Sequence, residues 1–165
     1  MIVIDASVVA EILVGGNERS FHLRRSIMDA TEATAAPDLL DIEVFSILRK
    51  YQRHGKLSDQ RAAAAVTDLD DFEAERVPHR RFHDRIWELR HNVSPYDASY
   101  IALAERFGAP LWTYDKRLAN APGTRCEIVV PEFLPCFGVK ALSFWAGMKR
   151  PTAVRGVAAA RGTGR

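Results

Sequence analysis

The sequence predicts an α/β protein built on a parallel sheet of four or five short strands, heavily covered by helices. Two observations carry that prediction. Short apolar, β-branched or small-residue runs alternate with longer segments of helical period, as expected of strands joined by crossover helices rather than hairpins. Helix stops and starts also fall between the segments, at Gly15-Gly16, Pro37-Asp38, Gly55, Ser58, Ser94-Pro95 and Gly108.

Ile2-Val3-Ile4 reads as a buried strand, and Ala6 to Leu13 as a helix stopped by Gly15-Gly16. A second helix is expected over Arg19 to Met28. Thr34 to Ala36 is a short strand, followed by a helix entry at Pro37-Asp38 and a helix from Leu39 to Arg53 that Gly55 ends. Ser58-Asp59 opens the next helix, which an alanine run at 62–65 carries to about Glu73. Val77 is a brief strand, Phe82 to His91 a helix, and Ser94 to Phe107 a helix closed by Gly108. Leu111 to Tyr114 then forms a strand, Asp115 to Ala119 a short helix, and Ile128 to Val130 the last strand.

The length of 165 residues suits one domain with a substantial core, at 47% hydrophobic and 27% charged residues. No run approaches the roughly 20 apolar residues of a membrane span, and no basic leader precedes Asp5, so a cytoplasmic, non-membrane protein is expected. Cys126 and Cys136 have neither the density nor the spacing of a disulfide scaffold or zinc site. Charge is unevenly divided. Residues 149–165 hold five basic side chains and no acid; without them 18 basic residues face 21 acids, turning the formal charge from +2 to −3. Residues 1–135 are expected to form the folded domain and 136–165 a poorly ordered C-terminal extension.

Four acids lie where elements meet. At about 100° per residue, Asp97 shares a helix face with Tyr100, Ile101, Ala104 and Gly108, and a carboxylate there needs a cap, a proton or a cation. Ser94-Pro95-x-Asp97 is also a capping-box pattern. Asp5 and Asp115 each sit between a strand and a helix, where an N-cap would sit. Glu43 flanks one edge of the apolar stripe of its helix and Asp41 the other, and periodicity does not choose between them. Asp5 and Asp115 nevertheless fall at the carboxyl ends of predicted strands, where ligands of open parallel sheets bind. Carboxylates converging there would repel each other unless cations neutralise them, and an all-oxygen set suits Mg²⁺ or Mn²⁺. Such a site supports phosphodiester hydrolysis. No G-x-S-x-G elbow, Walker loop or G-x-G-x-x-G motif offers a competing chemistry.

The stretches "IVIDASVV", "APDLLDIEVFSILRK", "SPYDASYIALAERFGAPLWTYDKRLA" and "CEIVVP" together resemble a PIN domain, most closely the VapC-type ribonuclease toxins of bacterial toxin–antitoxin pairs. The resemblance spans residues 1 to about 131 and implies a three-layer α/β/α sandwich. It implies that Asp5, Glu43, Asp97 and Asp115 form the acidic pocket, with Asp5 and Asp97 as direct magnesium ligands. Glu43, chosen over Asp41, would bind metal or orient water, and Asp115 would hold metal or its waters. Ser7 and Thr113 match hydroxyl positions that would support the carboxylates. A homodimer, a cognate antitoxin seated near the Arg19–Met28 and Leu39–Arg53 helices, and an RNA substrate of the tRNA or rRNA class are implied as well.

Basic residues would have to draw RNA to an acidic pocket, and the candidates are Arg49, Lys50, Arg53, Arg80, Arg81, Lys116 and Arg117. Tyr96 and Tyr114 adjoin pocket acids and are candidates for base stacking. Two other readings stay open on the residues alone. One is a phosphotransfer domain, an aspartyl phosphatase or a receiver, although Asp5 lacks a second acid two residues on. The other is a catalytically silent binding module whose acids are only caps.

Overall fold

The computed structural model describes residues 1–16, 18–29 and 32–131. The expected extension at 136–165 lies outside these described residues. In chain order the elements are β1 (Ile2–Ile4), α1 (Ala6–Val14), α2 (Glu18–Asp29), β2 (Thr34–Pro37), α3 (Leu40–Arg53), α4 (Asp59–Asp70) and β3 (Glu75–Val77). There follow α5 (His83–Glu88), α6 (Pro95–Phe107), β4 (Leu111–Trp112) and β5 (Ile128–Val129). No helix among the described residues is long and apolar enough to cross a membrane.

All five strands are parallel, in the order β3-β2-β1-β4-β5. Right-handed crossovers place helices on one face while the strand order runs outward from β1 to β3, and on the other face once it reverses to β4. Accordingly α1 packs with α2, α3 and α4, whereas α6 packs on β1 and β2 and against α5. This is the three-layer α/β/α sandwich. β1 is fully buried, and α1 buries Ala6, Val8, Val9, Ala10, Ile12 and Leu13, so the helix is apolar on nearly every side because it is covered on nearly every side.

Capping explains the helix ends. Ser58 Oγ accepts the Arg61 N–H at 3.2 Å to start α4, and Ser94 Oγ accepts the Asp97 N–H at 3.2 Å to start α6 with Pro95 in its first turn. Gly108, at φ 59°, closes α6 in the left-handed conformation that costs a glycine least. In α3, Asp41 and Glu43 in the first turn and Lys50 and Arg53 in the last suit the helix dipole.

Three expected elements differ. The single helix over Phe82 to His91 is instead α5 between two 3-10 turns, His79–Phe82 and Leu89–His91. Phe82, Ile86 and Leu89 keep the i, i+4, i+7 spacing of one helix face against the core, so the apolar pattern behind the expectation is present and only the backbone tightens into 3-10 turns at both ends. The helix begun at Ser58 stops at Asp70. The helix expected to open at Asp115 is also absent. Asp115 Oδ1 takes the Arg117 N–H at 2.9 Å in a side-chain turn, and a 3-10 turn follows only at Leu118–Asn120.

Candidate active site

The strand order reverses between β1 and β4, so the chain leaves the carboxyl ends of these neighbours in opposite directions and opens a crevice there. Asp5 ends β1, and its backbone N–H bonds to the Trp112 carbonyl of β4 at 3.0 Å. Its Oδ2 accepts hydrogen bonds from Ser7 Oγ at 2.9 Å and from Thr113 Oγ1. Each hydroxyl in turn accepts a backbone N–H from beyond β4: Tyr114 to Ser7 Oγ at 3.1 Å, and Asp115 to Thr113 Oγ1 at 3.0 Å. Ser7 and Thr113 therefore orient Asp5 and tie the two strand ends together.

Glu43 comes from the first turn of α3 and meets α6. Its Oε2 accepts the hydroxyl of the buried Tyr100 at 2.6 Å. Asp41, the other candidate on that helix, instead faces Arg76, at 2.9 Å from Nη2. Asp97 sits one turn before Tyr100 on α6, and its Oδ2 accepts Ser94 Oγ at 2.8 Å. The capping pattern and the inward-facing acid are thus compatible. Ser94 is the cap, and Asp97 is half-buried beside it.

Loss of solvent raises the Asp5 carboxyl above its ordinary value; the bonds from Thr113 and Ser7 oppose this and the charge of Asp97 adds to it. Burial likewise raises Glu43, against the Tyr100 bond, and both Asp5 and Asp97 push it further. Burial and the neighbouring Glu43 lift the Tyr100 phenol far above its usual range, so it remains a donor. Asp5, Glu43 and Asp97 thus form one field of mutually opposed charges.

Asp115 stands differently. Hydrogen bonds from Arg117 hold its carboxyl below the ordinary value. Arg117, expected as an RNA contact, is here the partner of Asp115, while Lys116 and Tyr96 are exposed. Arg49, Lys50, Arg53, Arg80 and Arg81 are also exposed. Sequence reasoning placed Tyr100 on the face of Asp97 but gave it no part in the site. The signal was its three-residue spacing from Asp97, yet nothing in the sequence named Glu43, 57 positions away, as its partner.

The donor set is right in kind for a hard cation, since its carboxylates and the hydroxyls beside them offer only oxygen ligands. As the side chains stand, no three His, Cys, Asp or Glu residues among those described are gathered tightly enough to hold an ion. A cavity of about 1060 Å³ among the described residues lies at the opposite end of the sheet, where Thr34 and Glu75 begin β2 and β3; it is lined by none of the four acids.

The PIN domain family profile matches residues 2–123, which include all four acids. Ribonuclease VapC1 of Mycobacterium tuberculosis is 41% identical over 127 residues, covering 76% of this chain and 94% of that protein. Ribonuclease VapC9 of the same species is 36% identical over 131 residues, covering 79% and 98%. Among solved structures, a toxin–antitoxin complex from Klebsiella pneumoniae shares the fold, with a TM-score of 0.52 at 17% identity over 81% of this chain and 100% of the matched one. With its parallel sheet, its acids at the switch point and full-length relatives of this kind, the chain belongs to the PIN domain family, in its VapC ribonuclease group.

Proposed function

We propose that this chain is a Mg²⁺-dependent endoribonuclease and the toxin of a toxin–antitoxin pair, active through Asp5, Glu43, Asp97 and Asp115. The observation that carries this reading is the arrangement of the acids: Asp5 held by Ser7 and Thr113 at the β1–β4 switch point, and Glu43 bonded to Tyr100 one turn from Asp97 on α6. Relatives named ribonucleases, matched over nearly their whole length, support the same activity.

Asp5 and Asp97 would hold Mg²⁺, with Mn²⁺ as a substitute, and Glu43 and Asp115 would complete the set or hold its waters. A bound ion of this kind lowers the pKa of water and stabilises charge on a phosphate in in-line displacement. The chain supplies position. Ser7 and Thr113 fix the Asp5 carboxylate from one side, and Tyr100 holds Glu43 Oε2, leaving Oε1 to orient the attacking water. No side chain is required as a covalent nucleophile.

The substrate class is RNA of the tRNA or rRNA kind, drawn in by exposed basic residues such as Lys116, with Tyr96 available for stacking. The partners are a cognate antitoxin and a second copy of the chain. Exposed apolar side chains support a protein partner: Phe21 on α2 (63% exposed), Ile42 and Phe45 on α3 (67% and 40%), and Val66 on α4.

The test is cleavage of total bacterial RNA by purified, antitoxin-free protein in Mg²⁺ and in EDTA, beside Asp5→Asn and Asp97→Asn. Discrete fragments are expected only with metal and with both aspartates. Cleavage that survives EDTA or both substitutions would remove the carboxylate–metal mechanism.

A further inference from the structure

Arg117 is 88% exposed, yet its guanidinium is not left to solvent. Nε lies 2.9 Å from Asp115 Oδ1 and 3.1 Å from Oδ2, Nη2 bonds to Oδ2, and the backbone N–H reaches Oδ1 at 2.9 Å. One residue thus engages both carboxylate oxygens through a rigid fork and an amide. The other three acids are held by neutral hydroxyls from Ser7, Thr113, Tyr100 and Ser94, which compete weakly with a cation. Asp115 alone among the four carries a full positive charge on its oxygens. The charge of Asp97 also favours the ionised guanidinium, so Arg117 lies within reach of the cluster's field.

Resting on the metal-dependent reading above, we infer that Arg117 is a positioning residue that competes with the divalent cation for Asp115 and thereby sets the pocket's affinity for the ion. An ion that recruits Asp115 must displace the fork. A variant without the fork leaves the carboxylate free and binds the ion more tightly.

The experiment is Mn²⁺ titration of the antitoxin-free full chain, followed by calorimetry and by the loss of the free-ion electron spin resonance signal. Arg117→Gln is compared with Lys116→Gln, which removes the same charge from the neighbouring exposed position without touching Asp115. Arg117→Gln is expected to bind Mn²⁺ about fivefold more tightly than Lys116→Gln, the upper end for an exposed ion pair. The gain should vanish when Asp115→Asn is added, because the contested ligand is gone. Equal affinities of Arg117→Gln and Lys116→Gln would overturn the inference, as would a gain that persists with Asp115→Asn. Its failure is separable from that of the parent reading. Mn²⁺ binding that is lost in Asp5→Asn but indifferent to Arg117 rejects only the competition, whereas no binding by the wild-type chain rejects both.

Discussion

Tyr100 brings one hydroxyl into a helix face that is otherwise apolar and places it on Glu43, the half-buried acid most pressed by its neighbours. The consequence is a stability signature that depends on pH. A carboxyl raised by folding binds protons more readily in the native than in the unfolded chain, so native stability falls as pH rises from the ordinary value of 4.5 through the raised one. Above that window the whole penalty is present. Glu43→Gln keeps an acceptor for Tyr100 and removes the charge. In EDTA it is therefore expected to melt above wild type at pH 7.5, with the difference closing as the pH falls towards 4.5. Added Mg²⁺ should reverse the order, since wild type gains more from the ion. A variant that melts no higher than wild type in EDTA at pH 7.5 would show that burial and the neighbouring acids together do not penalise the Glu43 charge. At this scale the sequence was partly legible. Asp5, Ser7, Thr113 and Asp97 sit at element boundaries that local chemistry marks. Local pattern does not separate Asp41 from Glu43, which only the family resemblance chose, because their partners Arg76 and Tyr100 lie 35 and 57 residues away.

Most elements were legible because their ends carry local chemistry: Ser94-Pro95 and Gly108 bracket α6, and Ser58 starts α4. The region after β3 was less so, because long-range polar contacts act on it beside its apolar period. Arg85 of α5 bonds to Glu105 of α6 through Nε at 2.7 Å and Nη2 at 2.9 Å, and to the Gly123 carbonyl at 2.5 Å. Glu105 also accepts the Arg125 N–H at 2.8 Å, so this pair joins α5, α6 and the segment leading into β5. Burial would lift the Glu105 carboxyl, but the bonds from Arg85 and Arg125 outweigh it and hold it below its ordinary value. A lowered acid stabilises the native chain above its unfolded value and loses that contribution as pH falls through the native one. Arg85→Ala leaves Glu105 largely buried with a single amide donor, and is expected to cost about 2–3 kcal/mol in urea unfolding at pH 7. Because the lost contribution is absent in acid, the deficit should shrink below pH 4. A cost under about 0.5 kcal/mol at pH 7 would mark the pair as an ordinary surface contact.

For the whole molecule, the alternation of strands and helices made a parallel sheet with Asp5 and Asp115 at its carboxyl ends legible, whereas the order β3-β2-β1-β4-β5 and its reversal beside β1 are set by non-local strand pairing that no local pattern marks. Residues 136–165, the expected extension, lie outside the described residues. The core cluster runs from Val3 to Leu118, and relatives of this group are matched over 94–98% of their own length within 127–131 residues. The extension therefore adds charge without a counterpart in those matched lengths. Truncation after Met148 removes five basic residues and takes the formal charge from +2 to −3. The expected outcome is an unchanged melting temperature, since every core residue among those described precedes the cut, and unchanged Mg²⁺-dependent cleavage at about 0.15 M salt. The slope of log affinity for RNA against log salt should also stay constant, because every phosphate that the extension neutralised on a single strand would contribute about 0.7 to it. A shallower slope with the same melting temperature would instead assign the extension to the phosphate backbone, and would mean that the acidic body relies on a basic tail to approach its substrate.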